Sequence, residues 1–307
     1  MSKVIMYHYI RNFDDEFPYF NFLSLEDFKK QNNFFSKRKK FISLKEDLSE
    51  NYNKDKFLLT FDDGLKEHLN IAKFLKKKNI LGLFFIPTMQ LENKDFLPIH
   101  KIHLIFGKYN SSELVDIFKK FEIKTHFKTK IFDLFQGQKK FLTKSNKEMK
   151  KKIFLKTILN NIDQKDSKLT KKIFNFCFDN TKQKKIFRNF YLNFKDIREL
   201  NKIGMHIGCH SYGHKVFSKM SYKKQYKDIS KSLNFLSRIL KKKVNYFCYP
   251  YGGSKVLNKN TIQILKKKKI KYSFNVDSKN WSSKSNKLLI PRFDCNEFRF
   301  GKIYKYN

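Results

Sequence analysis

Short apolar runs alternate with basic amphipathic stretches along this chain. The strand-like runs are "VIMYHYI" (4–10), "KFLLTF" (56–61), "ILGLFFIP" (80–87), "GMHIGCHS" (204–211), "NYFCYP" (245–250), "KYSFNV" (271–276) and "LLIPRF" (288–293). Several are apolar at consecutive positions, the pattern of strands buried on both faces. The stretches between them repeat apolar residues at helical spacing. One carries Leu65, Leu69, Ala72 and Leu75; another carries Tyr222, Tyr226, Ile229, Leu233, Leu236 and Leu240. Strand, helix, strand in repetition predicts a parallel sheet, open or closed into a barrel.

Residues 91–195 break this rhythm. They are rich in Lys and Phe, and "SSELVDIFKKF", "KEMKKKIFLKTIL" and "DSKLTKKIFNFCF" have helical spacing. A structureless loop of this length is improbable inside a domain. The span therefore reads as a helical insertion, with 1–90 and 196–307 forming the parent unit.

Composition narrows the class. A 307-residue chain with 40% hydrophobic and 17% aromatic residues can bury a large core and is not of the disordered type. Its net charge is +39, from 67 Lys and Arg against 28 Asp and Glu. That excess suits a polyanionic neighbour, and it equally suits a coding bias that makes lysine the default solvated residue. Cys177, Cys209, Cys248 and Cys295 are scattered, without Cys-x-x-Cys, which fits a reducing compartment. The apolar N-terminal run is too brief for a signal peptide, and no run reaches membrane-span length. The expectation is a soluble cytoplasmic protein.

Three stretches hold candidate chemistry, each at the C-terminal end of an expected strand. "FLLTFDDGLKEH" puts Asp62 and Asp63 side by side; the plain alternative is an Asp-Gly turn. "IGCHSYGHKVF" puts His210 and His214 four residues apart, able to face one point. Two histidines and a carboxylate make a typical catalytic zinc set, and strand C-termini of parallel α/β folds share one face. "YFCYPYGG" follows a third strand, where Pro250 and Gly252-Gly253 allow a tight turn whose backbone N–H groups can bind an oxyanion.

With "TFDDG" (60–64), "HSYGH" (210–214) and "YPYGG" (249–253) in this order, the chain resembles the polysaccharide deacetylase family, whose catalytic unit is the NodB homology domain of carbohydrate esterase family 4. "MYHYI", "DSKNW" and "IPRFD" agree more loosely. The resemblance covers 1–90 and 196–307. It implies a distorted (β/α) barrel carrying the 91–195 insertion. It also implies Asp62 as general base, with Asp63, His210 and His214 holding one divalent metal, zinc first. A water activated by that metal would attack an acetyl carbonyl, and the Tyr251 backbone N–H would help hold the oxyanion.

The departures matter. An Arg commonly precedes the third motif to orient the base, and here Cys248 stands in "FCYPY"; Arg292 in "IPRFD" offers a substitute from another strand. A late histidine usually supplies the general acid, and no histidine follows His214. His8 in "MYHYI" is the best replacement; its alternative is a buried strand histidine bonded to backbone. Trp281, the only tryptophan, either lines an acetyl pocket or packs.

The leading function is a metal-dependent hydrolase of linear amide bonds that removes an acetyl group from an amino sugar of a polysaccharide or glycolipid precursor. The alternatives are a degenerate deacetylase fold that binds glycan and a basic nucleic-acid binder; no specific nucleic-acid signature is present. Charge and the Lys/Phe-rich insertion favour a phosphate- or lipid-linked substrate and peripheral contact with an anionic membrane.

Overall fold

The computed structural model describes residues 1–46, 48, 54–123, 147–282 and 284–301. Residues 124–146 of the expected insertion lie outside them. The chain forms two compact units. The first is Met1–Arg11, Leu23–Asp95 and Asn189–Asn307; the second is Asn12–Phe22 and Phe96–Arg188.

The first unit is built on a seven-stranded parallel sheet. In chain order the strands are β1 (Lys3–Tyr7), β4 (Phe57–Phe61), β5 (Gly82–Ile86), β6 (His206–Cys209), β7 (Tyr246–Cys248), β8 (Tyr272–Phe274) and β9 (Phe293–Asp294), arranged β8-β7-β6-β5-β4-β1-β9. Two further short strands, β2 (Ile10–Arg11) and β3 (Leu23–Ser24), pair with each other. The run at 288–293 is not a full strand. It is instead the seam of the sheet: Ile290 bridges to Phe274 on β8, and Phe293 pairs with Ile5 on β1. The two edges thus meet through one short segment, giving a distorted (β/α) barrel.

The strands alternate between two cores. Val4, Leu58, Leu83, Phe85, Cys248, Phe274 and Ile290 face a small inner cluster. Ile5, Tyr7, Leu59, Phe61, Phe84, Ile86, Ile207, Phe247 and Tyr249 face the outer one. That outer cluster includes Ile71 and Leu75 of the helix His68–Lys77, Ile197 and Leu200 of Phe194–Lys202, and Ile229, Leu233 and Leu236 of Tyr222–Leu240. Both faces are apolar, so the period of two is invisible in the hydropathy pattern. It still sets the site, because Thr60, Asp62 and His210 continue the inward positions of their strands.

The second unit is helical: Pro98–Lys108, Ser111–Lys120, Lys147–Lys165, Ser167–Cys177 and Asn180–Phe190, whose last two residues cluster with the sheet unit. It begins and ends inside the 91–195 span and also takes in 12–22, which has no helical period. That segment is anchored by the Tyr19 N–H donating to the Gly107 carbonyl at 2.8 Å. A Cβ on Gly107 would lie 2.5 Å from the Phe20 ring, so only glycine allows this approach.

Candidate metal and acyl-transfer site

Asp62 is the centre of the site. It leaves β4 pointing inward, is 2% exposed, and meets Arg292 in a bidentate pair: Nη1 donates to Oδ1 at 2.8 Å and Nη2 to Oδ2 at 2.7 Å. The guanidinium is itself fixed, donating to the Asn275 carbonyl at 3.1 Å, Thr60 Oγ1 at 3.1 Å and Cys248 Sγ at 2.9 Å. Burial pushes the Asp62 carboxyl up, but the charge and hydrogen bonds of Arg292 lead the opposing effects, and the group is held at about 2. Burial drives the Cys248 thiol well above its usual range, so it stays protonated beside the pair. A guanidinium from the closing seam therefore occupies the position beside Asp62.

Asp63 turns the other way. Its φ of +77° lies in the left-handed region, which redirects the chain after the inward Asp62. Asp63 Oδ1 is 3.5 Å from His210 Nε2 and 3.4 Å from His214 Nε2. The geometry of these atoms suits a cation. Two ligands each about 2.0–2.1 Å from a tetrahedral zinc lie about 3.4 Å apart. The His210 Nδ1–H donates to the Cys248 carbonyl at 2.9 Å, so the lone pair of a neutral ring sits on Nε2, facing a carboxylate oxygen. Burial keeps His210 below its usual pKa, with the charges of Asp62 and Asp63 opposing, which favours that neutral form. A lone pair facing a carboxylate oxygen is a repulsive arrangement that a divalent ion converts into a binding site. Asp63, His210 and His214 thus form a candidate metal triad, buried and with ligand atoms within 4.8 Å of one another. Asp62, His210 and Cys248 form a second such group sharing His210, but Asp62 is already committed to Arg292.

The loops that carry the ligands are strained where the site needs it. Ser211, His214 and Tyr251 all have positive φ, at +66°, +51° and +66°. The His214 N–H donates to Ser211 Oγ at 2.9 Å, closing the turn between the two histidines. The Tyr251 ring packs 4.9 Å from that of His214, so the third motif borders the triad. Gly252 follows at φ +57°, where a Cβ would lie 2.3 Å from the Val276 side chain.

His8 approaches the same site from the end of β1. Its Nε2 is 3.9 Å from Asp62 Oδ2 and its side chain is 39% exposed, the most open group of the cluster. Trp281 is elsewhere. It is 2% exposed and bridges to Ser2, at the start of β1 and hence at the opposite end of the barrel from His8. Of its two readings, packing is the one that matches this position, and an acetyl pocket at the triad is not lined by it.

Sequence reading passed over His68 and Asp228. Buried His68 donates from Nε2 to the His8 carbonyl at 2.9 Å, fixing the backbone that carries the exposed ring. Asp228 accepts backbone N–H groups of the histidine loop. The sequence signal for each is a lone polar residue on the inner face of an amphipathic helix.

Residues 172–273, which include the histidine and "YPYGG" motifs, match the family model described as "Polysaccharide deacetylase". The poly-beta-1,6-N-acetyl-D-glucosamine N-deacetylase of Staphylococcus aureus strain MRSA252 is 28% identical over 120 residues, 36% of this chain and 40% of that protein. Its counterpart from strain MSSA476 is 32% identical over 79 residues, 26% of either chain. The similarity therefore spans less than half the length of these relatives. Among solved structures, the Streptococcus pyogenes deacetylase PplD in complex with acetate aligns over 95% of this chain and 91% of its own, with TM-score 0.57 and 15% identity. IcaB from Ammonifex degensii aligns over 95% and 90%, with TM-score 0.56 and 16% identity. These two share the fold. In sequence over residues 172–273, and in fold over nearly its whole length, the chain is similar to polysaccharide deacetylases.

Proposed function

We propose that this protein is a metal-dependent N-deacetylase that hydrolyses the acetamide of an amino sugar in a polymer of the poly-N-acetylglucosamine kind. The observation that carries this reading is the buried Asp62–Arg292 pair set beside the Asp63/His210/His214 triad. The S. aureus relatives named for that polymer support the choice of substrate.

The geometry supports the following roles. Asp62 takes the proton of the attacking water; Arg292 keeps it ionised and aimed. A carboxylate held near 2 is too weak a base for ordinary water, so the pair requires an acidified one. A divalent ion held by Asp63, His210 and His214 would supply that acidity and polarise the acyl carbonyl. The mixed nitrogen and oxygen donor set makes zinc the first choice. The Tyr251 backbone N–H helps hold the oxyanion, and His8, across from Asp62, gives a proton to the departing amine. One water is consumed; acetate and a free amine leave.

The test is acetate release from N-acetylated β-1,6-glucosamine oligomers by the full chain, metal-depleted and then loaded with Zn²⁺. Release that depends on metal supports the reading; metal uptake without release from this or any generic N-acetyl sugar overturns it.

Among the described residues no helix is long and apolar enough to cross a membrane. The second unit nonetheless exposes Phe13, Tyr19, Met149 and Phe176 among its lysines, which supports peripheral contact with an anionic membrane and a phosphate- or lipid-linked substrate at the cytoplasmic face. Sedimentation with vesicles of neutral and anionic lipid tests this: binding indifferent to lipid charge removes it.

A further inference from the structure

The loop that presents the two histidines is gripped from outside by one face of the helix Tyr222–Leu240. Asp228 and Ser232 lie one turn apart on that face. Asp228 Oδ1 accepts the Tyr212 N–H at 2.8 Å and Oδ2 accepts the Gly213 N–H at 3.0 Å. Ser232 Oγ, fully buried, donates to the Ser211 carbonyl at 2.8 Å and sits 3.1 Å from both Thr88 Oγ1 and Cys209 Sγ. Between them the two side chains take up backbone groups of three consecutive residues, Ser211, Tyr212 and Gly213.

Tyr212 is held at every other point too. Its carbonyl accepts the Met89 N–H at 3.0 Å, its hydroxyl donates to Glu92 at 2.6 Å, and Lys231 Nζ lies 3.9 Å above its ring. Lys231 also pairs with Glu92 at 2.5 Å. So many restraints on a residue that ligates nothing call for a reason. His210 precedes this stretch and His214 follows it, and Ser211 and His214 are both held at positive φ. An unrestrained chain would leave that conformation, and the two Nε2 atoms would no longer converge on Asp63.

We propose that Asp228 is a positioning residue for the metal triad: its carboxylate fixes the Tyr212–Gly213 amides and thereby sets the His210–His214 geometry. The carboxylate suits this job because it accepts at both oxygens. An amide of the same shape accepts at only one and presents an N–H group to the other backbone N–H. This inference rests on the metal-site reading above.

The test uses the full chain and two readouts. Amide hydrogen exchange of Tyr212 and Gly213 in the metal-free protein measures the grip itself, and titration with Co²⁺, followed by its visible absorption, measures the triad. Asp228→Asn and Asp228→Ala should speed exchange at these two amides and weaken Co²⁺ binding by about tenfold to a hundredfold, the usual effect of losing a supporting partner. Asp228→Glu, which keeps both acceptors, should recover much of the affinity. Unchanged exchange at the two amides in Asp228→Asn overturns the proposal, as does wild-type Co²⁺ affinity and spectrum in that variant. A fall in unfolding temperature with an unaltered Co²⁺ spectrum and affinity also overturns it, since the role is then structural only. If the wild-type chain takes up no Co²⁺, the metal reading falls, and the part of the proposal that concerns the triad falls with it. Exchange at the two amides then reports on the grip alone.

Discussion

Arg292 and Asp62 lie 230 residues apart in the chain and face each other through two parallel hydrogen bonds of 2.8 and 2.7 Å. Breaking a buried pair of this kind strands a charge. Arg292→Met should therefore cost about 3–5 kcal/mol of stability, read from denaturant unfolding. Without the guanidinium, the strongest opposition to burial is gone, and the Asp62 pKa should rise. The acid limb of the pH–rate profile should then move upward into the assayed range; a limb that stays in place would detach Arg292 from the base.

Asp62→Asn should keep metal uptake and lose about 10²–10⁴-fold in turnover, the usual contribution of a general base. Metal analysis on the same sample separates the two aspartates. If metal is lost together with turnover, Asp62 rather than Asp63 is the ligand.

His214→Ala should abolish stoichiometric metal binding, since two remaining ligands make a poor site. The measurement is metal content after dialysis against trace Zn²⁺. A variant that retains one equivalent would mean that the second candidate group, Asp62/His210/Cys248, is the one that binds.

His8→Ala should slow hydrolysis of an N-acetyl sugar far more than that of an activated acetyl ester, whose leaving group needs no proton. Parallel assays on the two substrates give the ratio. Equal losses would remove the acid role and leave His8 as part of the site's framework.

Acid stability offers a further check on Asp62. Its folded pKa, about 2, lies below the ordinary value of 3.8. A carboxyl lowered in this way adds stability that is fully present above the unfolded value and is lost as pH falls through the folded one. The difference amounts to roughly 2 kcal/mol. The stability gap between wild type and Asp62→Asn should therefore narrow from about pH 5 to about pH 2. A constant gap would mean that Asp62 is not ionised in the folded protein.

Much of the site was legible because it is local. Asp62 with Asp63, and His210 with His214, are each written within five residues of a strand end, where chain order alone brings them to one rim. Arg292 was legible only as an offered substitute, because its role depends on which strand closes the sheet. The run at 288–293 reads as an ordinary strand, yet only its last residue is in β9, and its importance lies in touching both edges. The inward parity of Thr60, Asp62 and Cys248 was hidden because both faces of these strands are apolar. Asp228, Ser232 and His68 were hidden for a different reason. Each is one polar residue on a helix, and hydropathy cannot tell a grip on a neighbouring loop from a tolerated polar position. The packing of 12–22 against the helices of the second unit has no local signature, since its contacts, such as Phe20 on Gly107, Phe17 on Phe178 and Glu16 with Lys182, join residues far apart in the chain.

The seam at 290–294 makes chemistry hostage to topology. The guanidinium paired with Asp62 rides on the segment that joins β1 to β8. A chain still emerging from the ribosome can present both aspartates and both histidines before it owns an aimed base. Competence then arrives only when the C-terminal stretch docks against β1 and β8, so an open-sheeted intermediate could hold a cation and still be inert. For this architecture, turnover is a reporter of ring closure as much as of active-site composition.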